Sequence, residues 1–479
     1  MRSFLLSLPL CVFLFCPPKD AHTSTSVTYT DSLYKHDPYD ISQARVTDST
    51  DVYVTKTSKV KYLLRSPRYI LLTMVYPLEK FAIQVEYAKL WIRYYKFFTN
   101  KSGTFGLFPH GQLGGETGTG IGARLFHTNI LGRKNALTAH YIYSGEQGQF
   151  CEGLYIDPNL LDTGLIWKIQ GGYLQTKNRN ANINGAIDND ESRLFELKKV
   201  DVETSVEWRL KTAETASIVP QFKMVGRIGF SQRDFMPVLG GLQPLSDPGS
   251  SPQARLVKGL GTKFKFYRVG LRVIYDDRDY KKPVRQLSHP SNYRFPGRIV
   301  TQFGDQFYFA RDIGYPERGG FITLEGDWVT GPDRIAFYKI RAEAARYITL
   351  FWKNRILVLH ARVDKVRSVG DGFVPYTELI QLGGNESARG YTRGYFRGQG
   401  ALQFNVEYRY PIWDYSNVFL FWDEAQIFDH FGDLRWGGFH SSWGGGIAFR
   451  TEVGLLGKIK IGHSTANRFL IGFTMSQAF

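Results

Sequence analysis

The sequence predicts an all-β chain: a transmembrane antiparallel β-barrel of about 16 strands, preceded by a short N-terminal amphipathic helix. Three observations carry this expectation. Short runs alternating apolar with polar residues, separated by Gly, Asn, Asp and Pro, recur from about residue 104 to the end. Aromatic residues are 15% of the 479, with 28 Tyr and 35 Phe, an excess that girdles at two membrane interfaces explain. After the first 16 residues no apolar run approaches the roughly 20 residues of a spanning helix. A mean hydropathy of −0.26 agrees with strands that are apolar on one face and polar on the other.

The chain opens with a leader. Arg2 supplies a positive start, an apolar stretch begins at Phe4, and polar residues follow from Lys19. That is the pattern of a secretory signal peptide, assigned to residues 1–22 with the cleavage site open. Cys16 is a candidate for lipidation after cleavage, against which stands the bulky Phe15 before it. Residues 23–60 read as a polar tether. Residues 61–103 hold an apolar stretch, YILLTMVY, and then an amphipathic helix over 78–98. There Leu78, Phe81, Ala82, Val85, Ala88, Ile92 and Tyr95 recur at steps of three and four, with charge opposite. Lying at a membrane interface and packing on a domain surface suit that stripe equally.

Residues 104–479 form the expected barrel. Strands are expected at 118–127, 135–144, 148–157, 164–176, 194–210, 216–230, 262–275, 298–311, 320–330, 335–349, 354–364, 400–411, 416–427, 443–452, 456–463 and 468–479. The segments 177–193, 231–260, 276–297 and 365–399 read as long loops. In ALQFNVEYRY, Leu402, Phe404, Val406, Tyr408 and Tyr410 share one face, and Gln403, Asn405, Glu407 and Arg409 the other. A dry core would make Glu407 and Arg409 costly, whereas a wet or ion-paired lumen accommodates them. In the last strand Phe469, Ile471, Phe473, Met475 and Phe479 face one way, with small or polar residues mostly opposite.

The formal charge is +16, yet Lys and Arg are scattered, with no basic helix or run. A lumen or an anionic lipid surface suits them better than nucleic acid. Outside the leader Cys151 is the only cysteine, which excludes a disulfide framework and a Cys-based zinc site. No metalloprotease, serine-hydrolase or P-loop motif occurs. The glycines of GETGTGIGARL have the wrong spacing for a dinucleotide fingerprint, and DNDE at 188–191 reads as a solvated loop. The chain is therefore expected to be non-enzymatic and without cofactor or metal.

One segment is more specific. GGNESARGYTRGYFRGQGALQFNVEYRYPI, at residues 383–412, resembles the loop and strand of the bacterial surface antigen superfamily. These are the outer-membrane assembly and secretion barrels of the BamA and TamA type and the two-partner secretion transporters. The resemblance implies that the tip Ala388-Arg389-Gly390-Tyr391 folds back into the lumen, with Ala388 where Val is usual. It implies that Arg389 meets acids on the inner wall. Asp423, in FLFWDEAQIF, matches the family's F-x-D-x-G strand, with Ala425 where Gly is usual. Its parity and that of Glu407 point inward, so Arg389 is expected to pair with Asp423, with Glu407 close by. YDDRDYKKP followed by FPG is similar to the family's D-T-R-D…P-x-G hairpin through Asp277, Arg278, Asp279 and Gly297, with an insertion between the halves. Phe473 and the terminal Phe479 resemble the C-terminal signal by which such barrels are assembled. Residues 20–100 do not match the periplasmic POTRA domains, so a member lacking them is expected.

What the resemblance implies is an outer-membrane protein of a Gram-negative bacterium, itself inserted by the barrel assembly machinery. It would assist insertion or translocation of other proteins. Its partners would be outer-membrane lipid and unfolded outer-membrane or secreted proteins, without nucleic acid. A passive pore or structural surface barrel is the alternative, and a soluble β-rich enzyme or binding protein, for example a glycan-binding one, a third.

Overall fold

The structure of the chain is a computed structural model. It describes residues 97–479 except 113–118, 131, 133–134, 181–193, 211–220, 238–258, 260, 279–315, 351–354, 385–386, 414–415, 451–454, 467–468 and 475–479. All of these belong to the second of two compact units, Lys80–Phe479. The helix expected over 78–98 lies outside the described residues, apart from a helical Phe97 and Phe98. The leader and tether lie outside them entirely.

The described chain is all-β, and its main sheet has sixteen strands in chain order. These are β1 (Phe105–Gln112), β2 (Gly120–His127), β3 (Ala136–Tyr143), β4 (Gly148–Asp157), β5 (Ile166–Asn180), β6 (Leu194–Arg209), β7 (Gln221–Pro237), β8 (Thr262–Asp276), β9 (Gly319–Thr330), β10 (Ala336–Thr349) and β11 (Ile356–Ser368). The order then passes to β14 (Gly400–Trp413), β15 (Ser416–Phe428), β16 (His440–Arg450), β17 (Leu455–Ser464) and β18 (Leu470–Thr474). Every pairing is antiparallel. The two omitted strands, β12 (Ile380–Leu382) and β13 (Phe396–Gly398), form a separate hairpin inside the loop between β11 and β14. Among the described residues β1 and β18 are the ends of the sheet and do not pair with each other.

Two expectations need correction, and a third lies outside the described residues. Residues 105–112 were not expected as a strand, because Pro109 and two glycines break the alternation. They form β1, which pairs with β2 at one end of the described sheet, and an end strand is where a proline costs no ladder hydrogen bond. Residues 231–237, expected in a loop, continue β7 with its alternation intact. The strand expected at 298–311 lies outside the described residues.

The two faces of the sheet differ as the alternation requires. On β14 and β15, Phe404, Val406, Leu420 and Trp422 are 41–60% exposed, while Gln403, Glu407, Arg409 and Asp423 are buried. The outward pattern continues through Ile121, Ile228, Val269, Leu324, Ile340, Trp443, Ile461 and Ile471. A band of that extent in water would far exceed the apolar patches soluble monomers tolerate. Crossing a bilayer takes about 9–11 tilted residues per strand. β5, β6, β7 and β8, at 15, 16, 17 and 15 residues, run well beyond that.

The inner face holds its charges in pairs. Arg227 on β7 donates to Asp327 on β9 at 3.0 Å, across the intervening β8. Gly270 sits between them in register, and a β-carbon there would come within 2.0 Å of the Asp327 carboxylate. Arg272 joins Glu325 at 2.8 Å and Arg341 joins Asp364 at 2.7 Å. Lys168 joins Glu207 at 2.6 Å. Such pairs satisfy charges that a purely apolar interior would not tolerate.

Candidate functional site: the lumenal loop and its inner wall

The loop between β11 and β14 turns back into the sheet's interior on two glycines. Gly383 and Gly384 have φ of +105° and +93°, conformations that L side chains rarely adopt. The Gly384 amide donates to the Tyr391 carbonyl at 2.8 Å, and the Gly383 amide donates to the Ser387 hydroxyl at 2.6 Å. These bonds close the tip, while β12 and β13 form its stem.

The wall that receives the tip is one row of side chains in register across four strands. Asn405 on β14 faces Asp423 on β15, Asp423 faces Ser442 on β16, and Ser442 faces Ser464 on β17. The tip runs along that row. The Asn405 amide donates to the Ser387 carbonyl at 3.2 Å. Arg389 donates to Asp423 three times: from Nε at 2.9 Å, from Nη2 at 2.7 Å and from its backbone amide at 2.9 Å. Its Nη1 donates to Glu407 as well. The Ser464 hydroxyl donates to the Gly390 carbonyl at 2.8 Å. The Tyr391 hydroxyl lies 3.0 Å from that of Thr465 and donates to the Ser441 carbonyl at 3.3 Å.

Close approach here depends on absent side chains. A β-carbon on Gly390 would sit 2.5 Å from the His463 carbonyl oxygen and 2.7 Å from Ser442 Cβ. One on Gly462 would sit 2.7 Å from the Arg389 carbonyl oxygen. The backbones of tip and wall therefore pack against each other directly.

A second row lies below the first. Glu407 faces Phe421, Phe421 faces Gly444, and Gly444 faces Gly462. The Phe421 ring covers its glycine neighbour and carries the Arg389 guanidinium 4.0 Å from its centroid. Arg409 donates to Glu407 at 2.8 Å, and Lys458 stands 3.5 Å from the same carboxylate oxygen. Arg389, Glu407 and Asp423 are all buried. In a site water does not enter, a bidentate guanidinium with a third acidic contact is held in place by charge and by shape. The Arg389 charge is favoured despite burial, because Asp423 and Glu407 stabilise it.

Thus Arg389, Gly390, Tyr391, Glu407 and Asp423 come together. Of the hairpin motif, Asp277 accepts from the Gly320 amide at 2.5 Å and lies 3.5 Å from Arg346. Arg278 donates twice to Asp276 at 3.0 Å and covers the Phe321 ring at 4.3 Å. Asp279 and Gly297 lie outside the described residues. Phe473 is on β18, opposite Ile459 and half-exposed outward, and Phe479 lies outside the described residues.

Sequence reasoning missed Asn405, Phe421, Ser442, Ser464, Arg409 and Lys458 as parts of this site. A signal for the wall was present in SSWGGG and in GHS, where small residues fill the inward positions of two neighbouring strands.

Residues 307–461 match the Omp85 superfamily domain. No match is found among curated proteins. Among solved structures, BamA from Haemophilus ducreyi lacking POTRA domains 1-3 is similar over 78% of this chain and 69% of its own, at 11% identity and a TM-score of 0.49. CdiB from Acinetobacter baumannii is similar over 77% of this chain and 58% of its own, at 8% identity and a TM-score of 0.43. CdiB from Escherichia coli is similar over 77% and 61%, at 11% identity and a TM-score of 0.46. This chain spans less than two thirds of either CdiB structure.

Proposed function

We propose that this chain, whose residues 307–461 match the Omp85 superfamily domain, is an outer-membrane barrel of a Gram-negative bacterium that assists insertion of proteins into that membrane or their translocation across it. The observation that carries the proposal is the inward-folded loop whose Arg389 is shared by Asp423 and Glu407. The loop fixes the shape of the β14–β17 wall from within. Client handling is assigned to the two ends of the sheet, β1 and β18. Lipid offers backbone groups no hydrogen-bond partner, so an incoming strand is favoured where it adds to strands already in the sheet. The role is non-enzymatic and uses no cofactor. Its partners are outer-membrane lipid and unfolded outer-membrane or secreted proteins, and the barrel assembly machinery inserts the protein itself.

The test is depletion in cells, followed by comparison of the outer-membrane protein content. Selective loss of a set of barrels or secreted proteins supports the proposal. An unchanged outer membrane, together with failure of the purified protein to bind unfolded barrel clients, refutes it.

A passive pore is the second reading. It is favoured by the inner face of β3–β5, where Gln170 is exposed and the side chains of His140 and Glu152 are 23% and 28% exposed. Stable single-channel conductance without client binding would select it.

A further inference from the structure

The lumenal loop meets the wall at a second place, on strands other than those that hold Arg389. Tyr376–Glu378 form a single helical turn before β12. Glu378 accepts from Arg233 Nε on β7 at 3.0 Å through one oxygen and from Lys339 Nζ on β10 at 2.6 Å through the other. Arg233 also donates to Asp201 on β6 at 2.7 Å. The Tyr376 ring stacks on Phe235 at 5.8 Å and meets Phe195 edge-on at 6.2 Å. Arg397 covers the tyrosine at 4.5 Å. β6 and β15 are separated in the sheet by β7 through β14, so the loop ties together two distant stretches of wall.

The two attachments differ in their access to water. At the first, the side chains of Arg389, Glu407 and Asp423 are 2%, 0% and 0% exposed. At the second, Arg233 and Glu378 are 6% and 9% exposed, and their partners Asp201 and Lys339 are 27% each. Water and ions reach the outer partners of the second and screen its charges, whereas the first stays dry. Tyr376 supplies the apolar part that keeps the second attachment closed at rest.

We infer that Glu378 is a positioning residue for the loop and its releasable end: the loop is a strap pinned at Arg389 and detachable at Glu378, and detachment opens the inner wall of β6, β7 and β10 to water-soluble molecules. This does not rest on client handling, since it concerns the loop and the wall alone.

The test uses the full chain with its native cysteines replaced by serine, reconstituted in phospholipid vesicles and probed with a water-soluble maleimide. Thr377→Cys reports on the second attachment and Ala388→Cys on the first. Both label slowly in the parent. Adding Glu378→Gln speeds labelling at 377 by about tenfold or more, the change expected from loss of a charge-assisted hydrogen bond, and leaves 388 slow. Glu378→Asp, which keeps the charge, returns the rate at 377 toward the parent. In the parent, raising salt from about 0.05 M to about 1 M, which shortens the screening length to about 3 Å, speeds 377 and not 388. The salt comparison decides the matter if Glu378→Gln fails to fold. Labelling at 377 that responds to neither change, or labelling at 388 that rises in step with it, overturns the inference.

Discussion

Removing the Arg389 guanidinium leaves Asp423 and Glu407 in a place water does not reach. Asp423 takes three hydrogen bonds from this one residue, while Glu407 keeps Arg409 and Lys458 nearby. Breaking a buried pair from one side costs about 3–5 kcal/mol. Arg389→Ala is therefore expected to lower the yield of folded protein and the temperature at which the compact band on a detergent gel shifts to the unfolded position. Arg389→Lys is expected to fall between, because one ammonium cannot reproduce the two-pronged contact with Asp423 and the third contact with Glu407 together. A melting position unchanged in both variants would remove Arg389 from the account. At this scale the sequence was informative. The parity of β14 and β15 placed Glu407 and Asp423 inward, and the resemblance placed Arg389 against them. The partners reached only through register, such as Ser464 on β17, were not legible, since alternation within a strand says nothing about which residue stands opposite on the next.

Among the elements, the loop depends on space as much as on charge. Gly390→Ala keeps every charged group yet drives a β-carbon into the His463 carbonyl and Ser442. Overpacking of this kind costs roughly 1–3 kcal/mol. The loop is expected to undock in part, with faster protease cleavage near residues 383–393 and little change in strand content by circular dichroism. Cleavage no faster than in the parent would show that the tip does not rest on β16 and β17. Gly270→Ala tests the wall in the same way, by separating Arg227 from Asp327. It is expected to lower the unfolding temperature, whereas Gly226→Ala, where no neighbour lies within reach of a β-carbon, is not. Most strands with strict alternation were legible from sequence to within about four residues of their ends, β7 excepted. β1 was not, because its proline is acceptable only at an edge, and an edge is a property of the sheet. The attachment at Glu378 was illegible for a related reason: its partners come from β6, β7 and β10, far away in the chain.

For the whole molecule, the opposition of an apolar exterior to a charged interior predicts how single charges are tolerated. An arginine placed outward near the bilayer midplane costs about 2–4 kcal/mol. Leu420→Arg, at a position 59% exposed, is expected to reduce folding into vesicles and to be tolerated better in detergent than in lipid. Folding into vesicles equal to the parent's would place that face in water. Hydrogen exchange of the protein in lipid vesicles, read over the peptide spanning residues 387–396, reports on the docked loop itself. The Arg389 amide bonds to Asp423 and the Tyr391 amide to the Ala388 carbonyl, both inside the sheet. These amides are expected to stay protected as long as those of β14 and β15. Complete exchange within seconds, as at a loop tip in water, would contradict a barrel braced from within by Arg389.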